Sequence, residues 1–93
     1  MYEYKIKEEM RAELNNTAKK QFKQLNEPYK GRIAEAIDGL EKEPPQGNIK
    51  KLRGRKGYRV TVGDYRVLFD INKELNFIDV FKIAPRSGVY KEN

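Results

Sequence analysis

The sequence predicts an α+β domain in which two helices cover one face of a β-sheet. Apolar residues recur at helical spacing between Ala18 and Leu40, then alternate with polar ones from Tyr58 onward. Between the two regimes stands Pro44-Pro45-Gln46-Gly47-Asn48, which no helix continues through. The chain has 93 residues, 38% of them hydrophobic, which suits one small core, so residues 1–93 are expected to form a single domain.

Each element follows from its own pattern. Met10, Ala12 and Leu14 alternate with polar neighbours, as in a strand with one buried face. Tyr2, Tyr4 and Ile6 keep the same parity, but Glu8 breaks the apolar run, so the core strand is set at Met10–Leu14 and residues 1–9 read as an N-terminal extension. Asn15-Asn16-Thr17 offers side-chain acceptors for the first free N–H groups of a helix, and Ala18, Phe22 and Leu25 mark its buried stripe to about Leu25. Asn26-Glu27-Pro28 stops and restarts the helix, and Tyr29, Ile33, Ala36, Ile37 and Leu40 form a second stripe, giving an antiparallel helical hairpin.

Beyond the proline break, Tyr58, Val60 and Val62 alternate with Arg59 and Thr61. Gly63-Asp64 makes a tight turn into Tyr65, Val67 and Phe69, so the pair reads as a β-hairpin. After a polar turn at Asn72-Lys73-Glu74, Phe77–Phe81 is apolar on both faces, as a central strand is. The tail Ala84–Asn93 is too polar for the core and adds one aromatic, Tyr90. The expected order is β-α-α-β-β-β, with the hairpin of helices on one face of an antiparallel sheet.

Composition narrows the chemistry. Cysteine and histidine are absent, which removes disulfides, thiolate nucleophiles, imidazole acid–base chemistry and the usual zinc ligands. No segment is long and apolar enough to cross a bilayer and the N-terminus lacks the layout of a secretory signal, so a cytoplasmic protein without a membrane role is expected. A net charge of +6, with six tyrosines and four phenylalanines, points toward a polyanionic or acidic partner.

The densest basic stretch, Lys50 to Arg59, holds Lys50, Lys51, Arg53, Arg55, Lys56 and Arg59 and no acid. Strand alternation sends Arg59, Thr61 and Arg66 to the face away from the valines, with Lys82, and the tail carries Arg86 and Tyr90 nearby. Two readings stand side by side. Either these groups form a cationic face for single-stranded RNA, with guanidinium groups on phosphate and tyrosine stacking a base, or Arg66 pairs with Asp64, Asp70 or Asp79 and the basic stretch is a solvated loop.

Several segments resemble, in order and separation, the RelE/ParE superfamily of toxins from prokaryotic type II toxin–antitoxin modules. They are Thr17–Leu25, Arg32-Ile33 with Ala36-Ile37 and Leu40, Lys51–Gly54, Tyr58-Arg59-Val60, Gly63–Phe69 and Arg86–Lys91. The likeness runs from about Met10 to Lys91 and is closest to RelE-like mRNA interferases. It implies a toxin neutralised by a cognate antitoxin, monomeric when free and able to form a heterotetramer with that antitoxin. It further implies cleavage of mRNA in the ribosomal A site by attack of a ribose 2′-hydroxyl on the adjacent phosphodiester, with no metal or cofactor.

Carried over by position, the resemblance makes Arg66 the phosphate clamp, Arg86 the group that meets transition-state charge, and Tyr90 the residue that positions the ribose or stacks a base. Arg59 would hold RNA phosphate, and Lys51, Arg53, Arg55 and Lys56 would contact ribosomal RNA; Lys82 joins the RNA-binding set from strand alternation alone. Two positions depart from the pattern. Thr61 stands where many RelE-like toxins carry a lysine proposed as general base, and Pro85 precedes the tail arginine where a histidine or basic residue is frequent. Both departures are compatible with a ParE-like inhibitor of DNA gyrase, or with an antitoxin-binding module that has lost its chemistry.

Overall fold

The computed structural model describes residues 10–86. The elements run β1 (Arg11–Leu14), α1 (Asn16–Lys23), α2 (Tyr29–Leu40), β2 (Asn48–Lys51), β3 (Tyr58–Val62), β4 (Tyr65–Asn72) and β5 (Phe77–Pro85). One five-stranded sheet has the order β1-β5-β4-β3-β2, and both helices pack on the same face of it. The α+β class, the helical hairpin and the β3–β4 hairpin are as the sequence predicts. The expectations for residues 1–9 and for Tyr90 lie outside the described residues.

Three details differ from the sequence reading. An additional strand, β2, pairs antiparallel with β3. Only Ile49 among its four residues is apolar, and a strand at the sheet's edge needs no second buried side chain, so alternation leaves no trace there. The sheet is antiparallel from β2 to β5, as expected, but β1 joins β5 in parallel and makes it mixed. Apolar alternation is the same in either direction. Lastly, β5 continues through Ala84, which is 8% exposed, although the tail from that residue reads as too polar for the core. A bulge explains it. The β4–β5 register shifts between Leu68 and Phe69, so Phe81 and Lys82 both lie on the outer face while Val80 and Ile83 both face the helices.

The core lies between helices and sheet. Ala18 from α1 and Ile33, Ile37 and Leu40 from α2 meet Val60, Val67, Phe69, Ile78, Val80 and Ile83 from the sheet. Phe69, Ile33 and Ile78 are almost wholly buried, and each large apolar side chain so buried stabilises by about 1.5–3 kcal/mol. Asn15 Oδ1 accepts the Ala18 N–H at 2.8 Å as the N-cap of α1. Glu27 Oε1 does a similar service for Gly31 N–H in the first turn of α2, at 3.0 Å.

Side chains also close the sheet's open hydrogen-bonding positions. Glu41 Oε2, just past α2, accepts the Ala12 N–H of edge strand β1 at 2.7 Å. Where β1 ends and β5 continues alone, Gln21 Oε1 of α1 accepts the Ile83 N–H, also at 2.7 Å. Both contacts tie a helix to an edge that would otherwise present free N–H groups.

Two turns set the register. At the β3–β4 turn Gly63 has φ +58, the left-handed first position of a two-residue hairpin loop. Its α-carbon faces the Tyr29 ring, which would stand 3.2 Å from an added Cβ. The connection between β2 and β3, residues 52–57, is closed by Leu52 N–H donating to Gly57 O at 2.9 Å. Gly57 has φ +123, and a Cβ there would lie 3.0 Å from Phe69 O and 3.2 Å from Leu52 Cδ1. The loop is therefore pressed onto β4.

This contrast gives an expectation for stability. Gly54, in the same loop, has φ +72 but nothing within 4 Å of an added Cβ, so Gly54→Ala should cost only the backbone strain, about 1–2 kcal/mol. Gly57→Ala adds a backbone clash and should cost measurably more in urea unfolding. Equal losses would show that the loop does not rest tightly on β4. Glu41→Ala, which leaves a backbone N–H without its charged acceptor, should cost about 1.5–3 kcal/mol by the same measurement.

Candidate RNA-binding face and adjoining groove

The face of the sheet that neither described helix covers is organised by register into rows. Cα partners run Asn48, Thr61, Arg66, Ala84 in one row and Lys50, Arg59, Leu68, Lys82 in the next. Direct partners in a sheet share a face, so Arg66 lies between Thr61 and Ala84, and Leu68 lies between Arg59 and Lys82. Arg59, Thr61, Arg66 and Lys82 thus share the outer face, as alternation predicts.

Arg66 is more enclosed than the sequence suggests. It is 4% exposed, and its Nη1 donates to Thr61 Oγ1 at 3.2 Å. The cross-strand hydroxyl thus orients the guanidinium, and burial weakens the screening of its charge. Arg59 is half-buried, and its buried Nε has no hydrogen-bond partner. Leu68 and Ala84 form a small apolar patch on this face with Leu52 and Phe81.

Arg86 follows β5 directly and is exposed. Its backbone N–H donates to Asp64 O at 2.8 Å, which fixes the residue beside the β3–β4 turn and two positions from Ala84. Arg66 and Arg86 are thereby held at the same end of the sheet. The third residue expected with them, Tyr90, lies outside the described residues.

The basic stretch divides. Lys51 ends β2, Arg59 is in β3, and Arg53, Arg55 and Lys56 are exposed on the 52–57 connection. Arg55 stacks its guanidinium over the Phe81 ring at 4.7 Å. Lys51, Arg55 and Lys56 line a groove of about 820 Å³ at the opposite end of the sheet from Arg86, and Arg53 is not among its lining residues. Two features of this surface escape a reading by composition alone. Lys50 joins the outer row only through β2, and Asp70 and Asp79, direct partners across β4 and β5, also line the groove. Parity would place Lys50 beside Arg59 once β2 is recognised.

Comparison with known proteins agrees with this architecture. The family model described as ParE toxin of type II toxin–antitoxin system, parDE, matches residues 5–90. Among solved structures, the archaeal RelE–RelB complex from Pyrococcus horikoshii OT3 is 30% identical over 83% of this chain and 94% of its own, with TM-score 0.69. The RelBE2 toxin–antitoxin complex from Mycobacterium tuberculosis is 20% identical, covers 84% and 99%, and has TM-score 0.72. A mutant of the E. coli toxin RelE in the free state is 21% identical, covers 90% and 93%, and has TM-score 0.71. The latter two are similar in fold. No curated protein sequence matches. With its family pattern spanning nearly the whole chain and a RelE relative at 30% identity, this protein belongs to the ParE toxin family of type II toxin–antitoxin systems, within the RelE/ParE superfamily.

Proposed function

We propose that this toxin is a ribosome-dependent mRNA endoribonuclease that arrests translation in the cytoplasm. The observation that carries the reading is the grouping of Arg66, Thr61, Arg59 and Lys82 on adjacent register rows of the face opposite α1 and α2, with Arg86 anchored at the same end. A guanidinium fixed by a neighbouring hydroxyl and only weakly screened by solvent suits a phosphorane-like transition state, whose extra negative charge needs a preorganised cation. The unsatisfied Nε of Arg59 is a donor for which an RNA phosphate is a fitting acceptor.

The reaction is an internal transfer. The ribose 2′-hydroxyl gives its proton to water as its oxygen bonds to phosphorus, the bond to the 5′-oxygen breaks and that oxygen takes a proton from water, and the products are a 2′,3′-cyclic phosphate and a free 5′-hydroxyl. Arg66 and Arg86 supply charge stabilisation, and Tyr90 positions the ribose or stacks a base. Thr61 serves this site as a positioning residue, since its hydroxyl is not basic at neutral pH and accepts from Arg66. Arg59 and Lys82 hold the RNA backbone, while Lys51, Arg53, Arg55 and Lys56 reach ribosomal RNA. No metal or cofactor enters this scheme.

The solved relatives from P. horikoshii and M. tuberculosis are complexes with antitoxins, and a cognate antitoxin is proposed here too. An acidic segment that folds as it binds would match the net charge of +6 and cover the cationic face. The free toxin, residues 1–93 as one domain, is taken as a monomer that forms a heterotetramer with the antitoxin. A second reading, inhibition of DNA gyrase, is favoured by the ParE family match and by Thr61 and Pro85 at positions where RelE-like toxins are often basic.

The two readings separate on one experiment. Induced expression followed by mapping of mRNA 5′ ends should reveal cuts inside translated codons that vanish with Arg66→Ala. In single-turnover cleavage on programmed ribosomes, Arg66→Ala should be slower by about 10²–10³-fold. Arg66→Lys, which keeps the charge but not the fork, should fall between, and retained antitoxin binding by both variants excludes misfolding. Growth arrest without cuts would instead support gyrase.

Thr61 has a separate signature. Thr61→Val should lower the cleavage rate about tenfold while KM stays near wild type, because the hydrogen bond to Arg66 is worth about 1–2 kcal/mol. Thr61→Ser should restore the rate, and a rate for Thr61→Val equal to wild type would remove its positioning role.

A further inference from the structure

We infer that the groove at the far end of the sheet is a nucleobase subsite that selects guanine in single-stranded RNA, an inference that rests on the endoribonuclease reading. The groove forms where the β4–β5 hairpin projects past the last β3–β4 pair, Tyr58 and Phe69, and the 52–57 connection walls its other side. Its volume of about 820 Å³, open to solvent, leaves room for a nucleotide-sized ligand. Its charges are sorted by depth. Lys51, Arg55, Lys56 and Lys73 are exposed at the rim, whereas Asp70 and Asp79 are half-buried. Glu74 is the one exposed acid among the lining residues.

A cationic rim around two inner carboxylates is complementary to a nucleotide. Phosphates meet the rim, and the base edge meets the two carboxylates. A pair of ionised carboxylates accepts hydrogen bonds and donates none, so it selects an edge with two adjacent donors. On the Watson–Crick edges of the four RNA bases that description fits guanine, whose ring N–H and exocyclic amino group stand side by side. Uracil has a single donor there, and adenine and cytosine each pair an amino group with an acceptor nitrogen. Phe77, half-buried and two residues before Asp79 on the same face of β5, also lines the groove and offers an aromatic surface to the base.

The carboxylate pair carries a cost in the empty protein. Asp70 and Asp79 are direct cross-strand partners, and like charges so placed destabilise a sheet. Donors from a base relieve that repulsion, which couples occupancy of the groove to stability. The site also lies on the path of the proposed substrate. Asp70 is four residues along β4 from Arg66, about 13 Å at strand rise, so a short run of single-stranded RNA reaches both.

The test compares binding of short adenine–uracil RNAs that carry one central guanine or one central inosine, which lacks the exocyclic amino group. The intact chain should bind the guanine RNA about tenfold more tightly, the effect of one such contact. Asp70→Asn and Asp79→Asn should each bring that ratio close to one, and each should raise the melting temperature of the free protein because the like-charge pair is gone. A higher melting temperature also certifies that the variant is folded. RNA binding with equal affinity for guanine and inosine overturns the inference alone. Failure to bind any of these RNAs, together with an absence of cuts on ribosomes, overturns the endoribonuclease reading beneath it. A loss of antitoxin affinity in both variants, with no base discrimination in the wild type, overturns the inference by assigning the groove to a basic protein segment.

Discussion

The register of β4 between β3 and β5 is the constraint on which the rest of the molecule depends. Along this strand Val67 and Phe69 enter the core, while Arg66, Leu68 and Asp70 take the other face. A slip of one residue would exchange the two sets and place a guanidinium and a carboxylate against the helices. Two local devices hold the register. The Gly63 turn fixes β4 against β3 under the Tyr29 ring, and the bulge at Phe81 and Lys82 lets β5 keep Val80 and Ile83 in the core on both sides of the irregularity. The position of every charged group on the outer face is inherited from these two points.

The same logic explains why much of the fold is legible in the sequence. Elements with several buried residues declare their period. α2 shows it through Ile33, Ile37 and Leu40, and β3 and β4 through Val60, Val62, Val67 and Phe69. β2 contributes a single half-buried side chain, Ile49, and is held by backbone pairing that leaves no mark on composition. The end of β5 is hidden for a different reason, since a bulge interrupts alternation before Ile83 and the run from Ala84 then looks like a polar tail. The parallel pairing of β1 is tertiary information, fixed by where the helical hairpin returns the chain and by the Glu41 and Gln21 contacts at the sheet's open edges.

For the site, alternation identifies the shared face of Arg59, Thr61, Arg66 and Lys82 but is silent about depth. Arg66 lies in a row flanked by Thr61 and Ala84, next to the patch built by Leu52, Leu68 and Phe81, and is nearly sealed. Charge and parity give no depth there, because they ignore apolar residues on the same face. The acidic pair is missed for the converse reason. Asp70 and Asp79 are nine residues apart in the chain and become neighbours only through the β4–β5 pairing.

The two faces of the sheet differ in what they contribute to stability. Apart from Leu68, the buried large aliphatic side chains of the described residues lie on the helix side, whereas the features that oppose folding lie on the other. These are the enclosed charge of Arg66, the unsatisfied Nε of Arg59 and the facing carboxylates of Asp70 and Asp79. Sequences that fold well break local rules mainly where function requires it, and here every break falls on one side. A sheet so arranged can change its outer residues with little effect on its core, because alternate positions of one strand answer to different neighbours. That independence accounts for a superfamily in which toxins at 20–30% identity keep this architecture. Outward positions such as 61 and 66 are thereby free to vary, while the inward ones preserve the fold.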